Sequence, residues 1–125
     1  MTVELYPAID LRAGRVVRLT QGDYAAEVVY GDDPVAVAEA FADAGAPWIH
    51  VVDLDAARSG DPVNRPVVAA VSAVVAGRAR LQTGGGVRTV ADAEVLAEAG
   101  VSRVVMGSAA VREPALVADV SKVLP

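Results

Sequence analysis

The sequence predicts an α/β fold in which parallel strands alternate with helices, and three observations carry that reading. Apolar, strand-like runs recur at Val3–Asp10, Trp48–Leu54, Arg80–Thr83 and Arg103–Met106. Helix start and stop signals fall between them. Residues 38–53 (AEAFADAGAPWIHVVD) and 93–107 (AEVLAEAGVSRVVMG) share one pattern of helix, Ala-Gly, three linker residues and apolar strand, the mark of a repeated βα unit. Strands alternating with helices of this length pair in parallel through right-handed crossovers.

Each element has its own signal. Val3 to Asp10 is a buried strand closing on Pro7-Ala8-Ile9-Asp10. Residues 11–33 form a long connection with Gly14, Gly22 and Gly31, and the β-like runs 16–19 and 28–30 predict a small hairpin excursion within it. Asp33-Pro34 starts a helix, with Asp33 as N-cap and proline where a missing N–H costs nothing. That helix lines Val37, Phe41 and Ala44 along one side and stops at Gly45. Trp48 to Leu54 (WIHVVDL) is nearly continuous in apolar residues, as suits a strand covered on both faces. A polar loop through Ser59-Gly60-Asp61-Pro62 follows, and Asn64 is the candidate cap of a helix running to about Ala76. Arg80 to Thr83 is a short strand ending in Gly84-Gly85-Gly86. Thr89 with Asp92 makes a capping-box start for a helix that ends at Gly100. Arg103 to Met106 is the fourth strand, ending in Gly107-Ser108, and a last helix from near Pro114 closes the chain at Leu124-Pro125.

A length of 125 residues suits one domain, residues 1–125, with a core of its own. A 54% hydrophobic content excludes a disordered segment, and 4% aromatic content predicts a core of small alanine and valine side chains. Sixteen acidic against eleven basic residues give a net charge of −5, which argues against a nucleic-acid partner but leaves local anion sites open. The chain has no cysteine and one histidine, His50, so disulfides, thiolate metal sites and multi-histidine metal sites are excluded within it. Glu4 and Pro7 interrupt the N-terminus where a secretory apolar run would lie, and no apolar stretch reaches membrane length. The expectation is a soluble cytoplasmic protein with no membrane partner.

Ligands of parallel α/β proteins bind at the carboxyl ends of the strands. Here those ends carry Asp10, then Asp53 with Asp55, then Gly84-Gly85-Gly86, then Gly107-Ser108. The division suggests chemistry on the carboxylate side and an anion on the glycine side. Three consecutive glycines raise the entropy cost of ordering the backbone, so something must require them. Glycines between a strand and a helix let backbone N–H groups converge on a phosphate, and the helix terminus adds partial positive charge. The competing reading is a tight βα turn and nothing more.

The stretches PAIDLRAGRVVRLTQGDY, HVVDLDAA, QTGGGVR and VVMGSAAV, in this order, resemble the histidine-biosynthesis (βα)8 barrels. Within that family the pattern is most similar to the isomerases acting on phosphoribosyl-formimino aminoimidazole carboxamide ribonucleotide (ProFAR). The resemblance covers essentially the whole chain but only four of the eight βα units a TIM barrel needs. It implies a (βα)4 half-barrel. It also implies an Amadori rearrangement of an aminoaldose to an aminoketose, with no metal and no organic cofactor, through a base at C2 and an acid assisting ring opening.

The resemblance further implies roles for named residues. Asp10 matches the family's catalytic carboxylate at the end of the first strand, its other reading being a strand-end cap or a salt bridge with Arg18. The family's partner carboxylate lies on the fifth strand, beyond this chain. His50 matches a position inside the barrel near the substrate, against the reading of a satisfied core histidine. Arg18 matches an arginine of the first loop that reaches the substrate, against exposed surface charge. Asp53 matches a strand-end acid near the site, where a loop-orienting role is equally open. Gly85, Gly86, Gly107 and Ser108 match the binding site for one of the substrate's two phosphates. Arg88 is expected to point along the helix that follows and is given no role.

The resemblance thus implies a phosphoribosyl substrate and an inactive or very weak isomerase when the chain is alone. Two alternatives stand beside it: a dual-substrate isomerase that also accepts phosphoribosyl anthranilate, and a non-catalytic phosphate-binding module. Four curled parallel strands leave the first and the fourth as open edges, so the expected partner is a second copy of the chain or a complementary half-barrel.

Overall fold

The structure is a computed structural model that describes residues 3–124. Among the described residues six strands form one sheet: β1 (Ala8–Arg12), β2 (Arg15–Thr20), β3 (Asp23–Gly31), β4 (Trp48–Asp53), β5 (Arg80–Gly84) and β6 (Arg103–Val105). Their order is β3-β2-β1-β4-β5-β6. The steps β1–β4, β4–β5 and β5–β6 are parallel, and β2 and β3 add an antiparallel meander beyond β1. Six helices lie among the described residues: α1 (Pro34–Asp43), α2 (Leu54–Ser59), α3 (Arg65–Val75), α4 (Val90–Glu98), α5 (Ser108–Arg112) and α6 (Ala115–Ser121).

The alternation of strand side chains divides the sheet into two unlike faces. Ile9 and Leu11 of β1, Ile49 and Val51 of β4, and Leu81 and Thr83 of β5 are buried. They pack with Ala38 and Ala42 of α1, Val68, Val71 and Val75 of α3, and Leu96 of α4 in one continuous core. The opposite face carries Asp10, His50, Val52, Gln82, Arg103 and Val105, which are half-buried or exposed. The parallel strands are therefore covered on one face only, where the apolar run of Trp48–Leu54 predicts cover on both. This is the arrangement of part of a TIM barrel, whose interior layers would fill the second face.

Local chemistry sets the element ends. Asp33 caps α1 by accepting from Ala36 N at 3.1 Å, with Pro34 in the first turn. Thr89 and Asp92 form the full capping box of α4. Asp92 also takes the Arg65 guanidinium at 2.6 Å, tying α4 to α3. Burial raises the pKa of the Asp92 carboxyl, but hydrogen bonds from Arg65, Arg88 and Thr89 outweigh it and the net shift is downward. The two hairpin turns, Ala13-Gly14 and Gln21-Gly22, have positive φ at both positions, the type I′ signature that matches strand twist.

Four expectations need correction. The strand expected over Val3–Asp10 begins at Ala8 and runs on to Arg12, because Asp10, Leu11 and Arg12 pair with Val17, Val16 and Arg15 of β2. The β1 edge is consequently covered at its upper end and open only below Asp10. Residues Leu54–Ser59 form α2 where the chain was expected to run from strand into polar loop: Asp53 caps this helix and Gly60 ends it at φ +78°. Asn64 stands at the N-cap position of α3, but its side chain makes no cap hydrogen bond. A further short helix, α5, precedes the one expected near Pro114; Pro125, the expected end of that last helix, lies outside the described residues. No helix among the described residues is long and apolar enough to cross a membrane.

Candidate functional site

The corner where β4 turns into α2 organises the carboxyl ends of the strands. Asp53 is 4% exposed, and its Oδ1 accepts from Ala56 N at 3.0 Å and from Asn64 Nδ2 at 2.8 Å. Asn64 Nδ2 also donates to Asp55 Oδ2 at 2.7 Å, while Asn64 Oδ1 accepts from Gly14 N at 2.9 Å. Asp55 Oδ2 accepts from Ala13 N at 2.7 Å, and Tyr24 Oη donates to the Leu54 carbonyl at 2.8 Å. One buried carboxamide thus joins the first hairpin turn, α2 and the start of α3. Asp53 is engaged in this lock, which is the loop-orienting geometry.

The same corner explains two of the three consecutive glycines. Gly85 has φ +101°, and a Cβ there would lie 2.3 Å from the Asp53 carbonyl oxygen. Gly86 has φ +71°, and its Cβ would lie 2.6 Å from both the Ala56 Cβ and the Ala56 carbonyl oxygen. Backbone meets backbone here at distances no side chain permits. What approaches the triplet is the chain itself.

Past this contact lies a cleft of about 240 Å³, lined by Gly85, Gly86, Arg88, Val105, Gly107 and Ser108 among others. The four residues assigned to phosphate therefore share one cavity wall. Arg88 lines it too, contrary to expectation. It precedes α4 and folds back, with Nη2 3.5 Å from the carbonyls of Ala56 and Ala57. Its signal was available: an arginine directly after Gly84-Gly85-Gly86-Val87 has a glycine turn to swing it round.

On the open face the register sets Asp10 opposite Val52, Val52 opposite Gly84, and Gly84 opposite Val105. Asp10 and the glycine turn therefore stand at one level, two strand spacings or roughly 10 Å apart. One pleat below, Gln82 Nε2 meets His50 Nδ1 at 3.0 Å, and Arg103 donates to Gln82 Oε1 at 3.1 Å. With the amide donating, His50 keeps its ring proton on Nε2. The sequence offered Gln82 no special signal, since a polar residue in a strand reads as surface. Arg18 is exposed on β2 and shares with Asp10, Ala8, Tyr30 and Phe41 a groove of about 370 Å³. Asp10 and Arg18 thus belong to one groove, Gly85, Gly86, Gly107 and Ser108 to another, and Asp53 to neither.

Burial raises the Asp10 pKa from its ordinary value, and the nearby His50 opposes the shift without cancelling it.

A parallel βα array with its polar groups gathered at the carboxyl ends of the strands defines a protein of the TIM-barrel class, of which these units are a part. Residues 4–125 match the family described as "Histidine biosynthesis protein", and the chain belongs to that family. It is similar to proteins named 1-(5-phosphoribosyl)-5-((5-phosphoribosylamino)methylideneamino) imidazole-4-carboxamide isomerase. The one from Methylobacterium nodulans is 49% identical over 123 residues, covering 98% of this chain and 48% of that protein. The one from Geobacillus thermodenitrificans is 53% identical over 114 residues, covering 90% and 45%. The one from Stenotrophomonas maltophilia is 52% identical over 114 residues, covering 91% and 46%. The chain spans about half the length of these curated relatives.

The raised pKa of Asp10 fixes a sign. A carboxyl titrating higher in the folded state adds stability below its unfolded pKa of about 3.9, and loses it as pH rises through the folded value. Asp10→Asn is therefore expected to raise the melting temperature at pH 7 and to leave it unchanged near pH 3. Melts across that range test this, and a gain independent of pH contradicts it.

Asn64→Ala removes the donor shared by Asp53 and Asp55 and the acceptor for Gly14. The expected destabilisation is at least about 1–3 kcal/mol, the cost of one unsatisfied buried group. Hydrogen exchange at Ala13 and Gly14 is expected to accelerate more than in β5. An unchanged urea midpoint would show that the lock carries no stability.

Proposed function

We propose that this chain is a half-barrel of a sugar-phosphate isomerase that performs the Amadori rearrangement of ProFAR in histidine biosynthesis. The observation that carries the reading is the open-face row from Asp10 to Gly84, which sets one carboxylate level with the glycine cleft. The name that the relatives carry supports the substrate. In this reading Asp10 removes the proton at C2 of the aminoaldose, and its burial strengthens it as a base. His50, held by Gln82, presents Nε2–H toward substrate oxygen, and Arg18 reaches from the hairpin across the groove it shares with Asp10. One phosphate rests on Gly85, Gly86, Gly107 and Ser108, and Arg88 supplies the cation at the cleft. The first-turn amides of α5 lack intrahelical acceptors and add donors there. The reaction runs in the cytoplasm on a phosphoribosyl small molecule.

A second reading is a phosphate-binding module without catalysis. The observation favouring it is that β1, β4, β5 and β6 carry only two acids, Asp10 and Asp53, and Asp53 is buried in the loop lock. One open-face carboxylate leaves ring opening without its acid.

Inorganic phosphate is expected to shift the amides of Gly85, Gly86, Gly107 and Ser108 ahead of all others in an NMR titration. Shifts clustered elsewhere would remove the anion site from both readings.

Isomerase turnover by the chain alone is expected to be absent, or lower than that of a full-length relative by a factor on the order of 10²–10⁴, the usual worth of one acid–base group. Any residual rate is expected to vanish in Asp10→Asn. A rate equal to the full-length enzyme would mean that the second acid is present after all.

A further inference from the structure

A row of three side chains crosses the sheet one pleat below Asp10 and the glycine turn. The parallel register sets His50 opposite Gln82 and Gln82 opposite Arg103, so the three are direct neighbours on β4, β5 and β6. The isomerase reading uses His50 and Gln82 and leaves Arg103 without a task. Arg103 is nonetheless held. Its guanidinium carbon stands 4.0 Å from the centroid of the Trp48 ring and 6.0 Å from that of Tyr6, and the two rings stack at 5.9 Å. Its Nη1 donates to Tyr6 Oη at 3.2 Å and to Gln82 Oε1 at 3.1 Å. A guanidinium seated on aromatic rings aims its planar fork of donors in a set direction.

The inventory of donors and acceptors then leaves one arrangement. A guanidinium only donates, so the end of the Gln82 amide that meets it is the oxygen. The other end is the NH2 group, which also only donates, and it meets His50 Nδ1 at 3.0 Å. Nδ1 is therefore the bare nitrogen, and the neutral ring carries its proton on Nε2. The ring also reaches up to the glycine turn. His50 Cε1, an atom bonded to Nε2, lies 3.8 Å from where a Gly84 Cβ would stand. We propose that Arg103 is a positioning residue that acts through Gln82, turning the amide so that His50 offers Nε2–H toward the row of Asp10 and Gly84. A ring protonated on Nδ1 would present a lone pair there instead and would repel a substrate oxygen. The proposal rests on the isomerase reading only for the use made of that proton. The relay belongs to three neighbouring strands and exists without substrate.

His50 is the one histidine of the chain, so a long-range proton–nitrogen correlation spectrum reads its two ring nitrogens without overlap. With the ring neutral, the wild type is expected to show a protonated Nε2 and a bare Nδ1. Gln82→Glu replaces the donor by an acceptor and is expected to move the proton to Nδ1. Arg103→Glu leaves Gln82 intact but sets an acceptor against its amide. The amide is expected to turn over, and the proton again to move to Nδ1, on a ring the substitution does not touch. Arg80→Glu places the same charge beside Trp48 instead of Gln82 and is expected to keep the wild-type pattern. Circular dichroism checks folding, and Gln82→Glu or Arg103→Glu carries the test if the other does not fold. A wild-type ring protonated on Nδ1 overturns the proposal, as does a folded Gln82→Glu or Arg103→Glu variant that keeps Nε2–H. A proton moved by Arg80→Glu overturns it too, since added charge and not the relay would then set the tautomer. All of this is read without substrate, so turnover and the phosphate titration judge the isomerase reading separately.

Discussion

The hydrogen bonds of the Asn64 carboxamide hold the upper end of this molecule together. Asn64 spans from Gly14 in the first hairpin turn to Asp53 and Asp55 at the corner between β4 and α2. The Asp53–Ala56 backbone then serves as the surface on which Gly85 and Gly86 lie. Three strand-end loops are placed by this one corner. A buried amide with all its partners is rigid and specific, and the same amide with a partner missing is a liability. The strain at Ala13, at φ +51°, is held in place by the Asp55 bond to its amide.

The lock has a consequence for the open face. Because Asp53 is turned into the corner, the carboxylate that remains beside the groove is Asp10, and its surroundings are half apolar: Ala8, Val16, Val17 and Phe41. Those neighbours raise its pKa through lost hydration. Two aspartates at adjacent strand ends therefore have opposite fates. One is spent on architecture, and the other is left titratable in a groove. Their order along the strands does not reveal which is which; the position of Asn64 does.

Much of the fold was legible because its signals are local. Asp33-Pro34, the Thr89–Asp92 box and Gly45 mark helix ends through hydrogen bonds made within a few residues, and the structure repeats them. The apolar run at Trp48–Leu54 was legible as a strand, but not as one with an open face, because side-chain pattern reports hydrophobicity and not what covers it. The α2 helix was missed although Asp53 and Gly60 bracket it, since six residues give no periodicity to read. Asn64 misled for a physical reason. An asparagine before Arg65-Pro66 is a good N-cap by propensity, but here its Oδ1, the atom that would cap the local amides, accepts from the distant Gly14 N while Nδ2 donates to Asp53 and Asp55. The pairing of β2 with β1 was equally out of reach, because it depends on which neighbours the strand edge has.

The glycines separate into two kinds, and the difference bears on the cleft. Gly85 and Gly86 are required by the protein itself: positive φ and contacts to Asp53 and Ala56 leave no room for a side chain. Taken alone they would justify the tight-turn reading. Gly107 differs on both counts. Its φ is −112°, outside the left-handed region, and a Cβ built there meets nothing within 4 Å. No atom of the described residues occupies the space that this glycine leaves open, and it opens onto the same cleft as Gly85, Gly86 and Arg88. Packing accounts for the first pair; at Gly107 no contact among the described residues does, and the cleft stays open on that side.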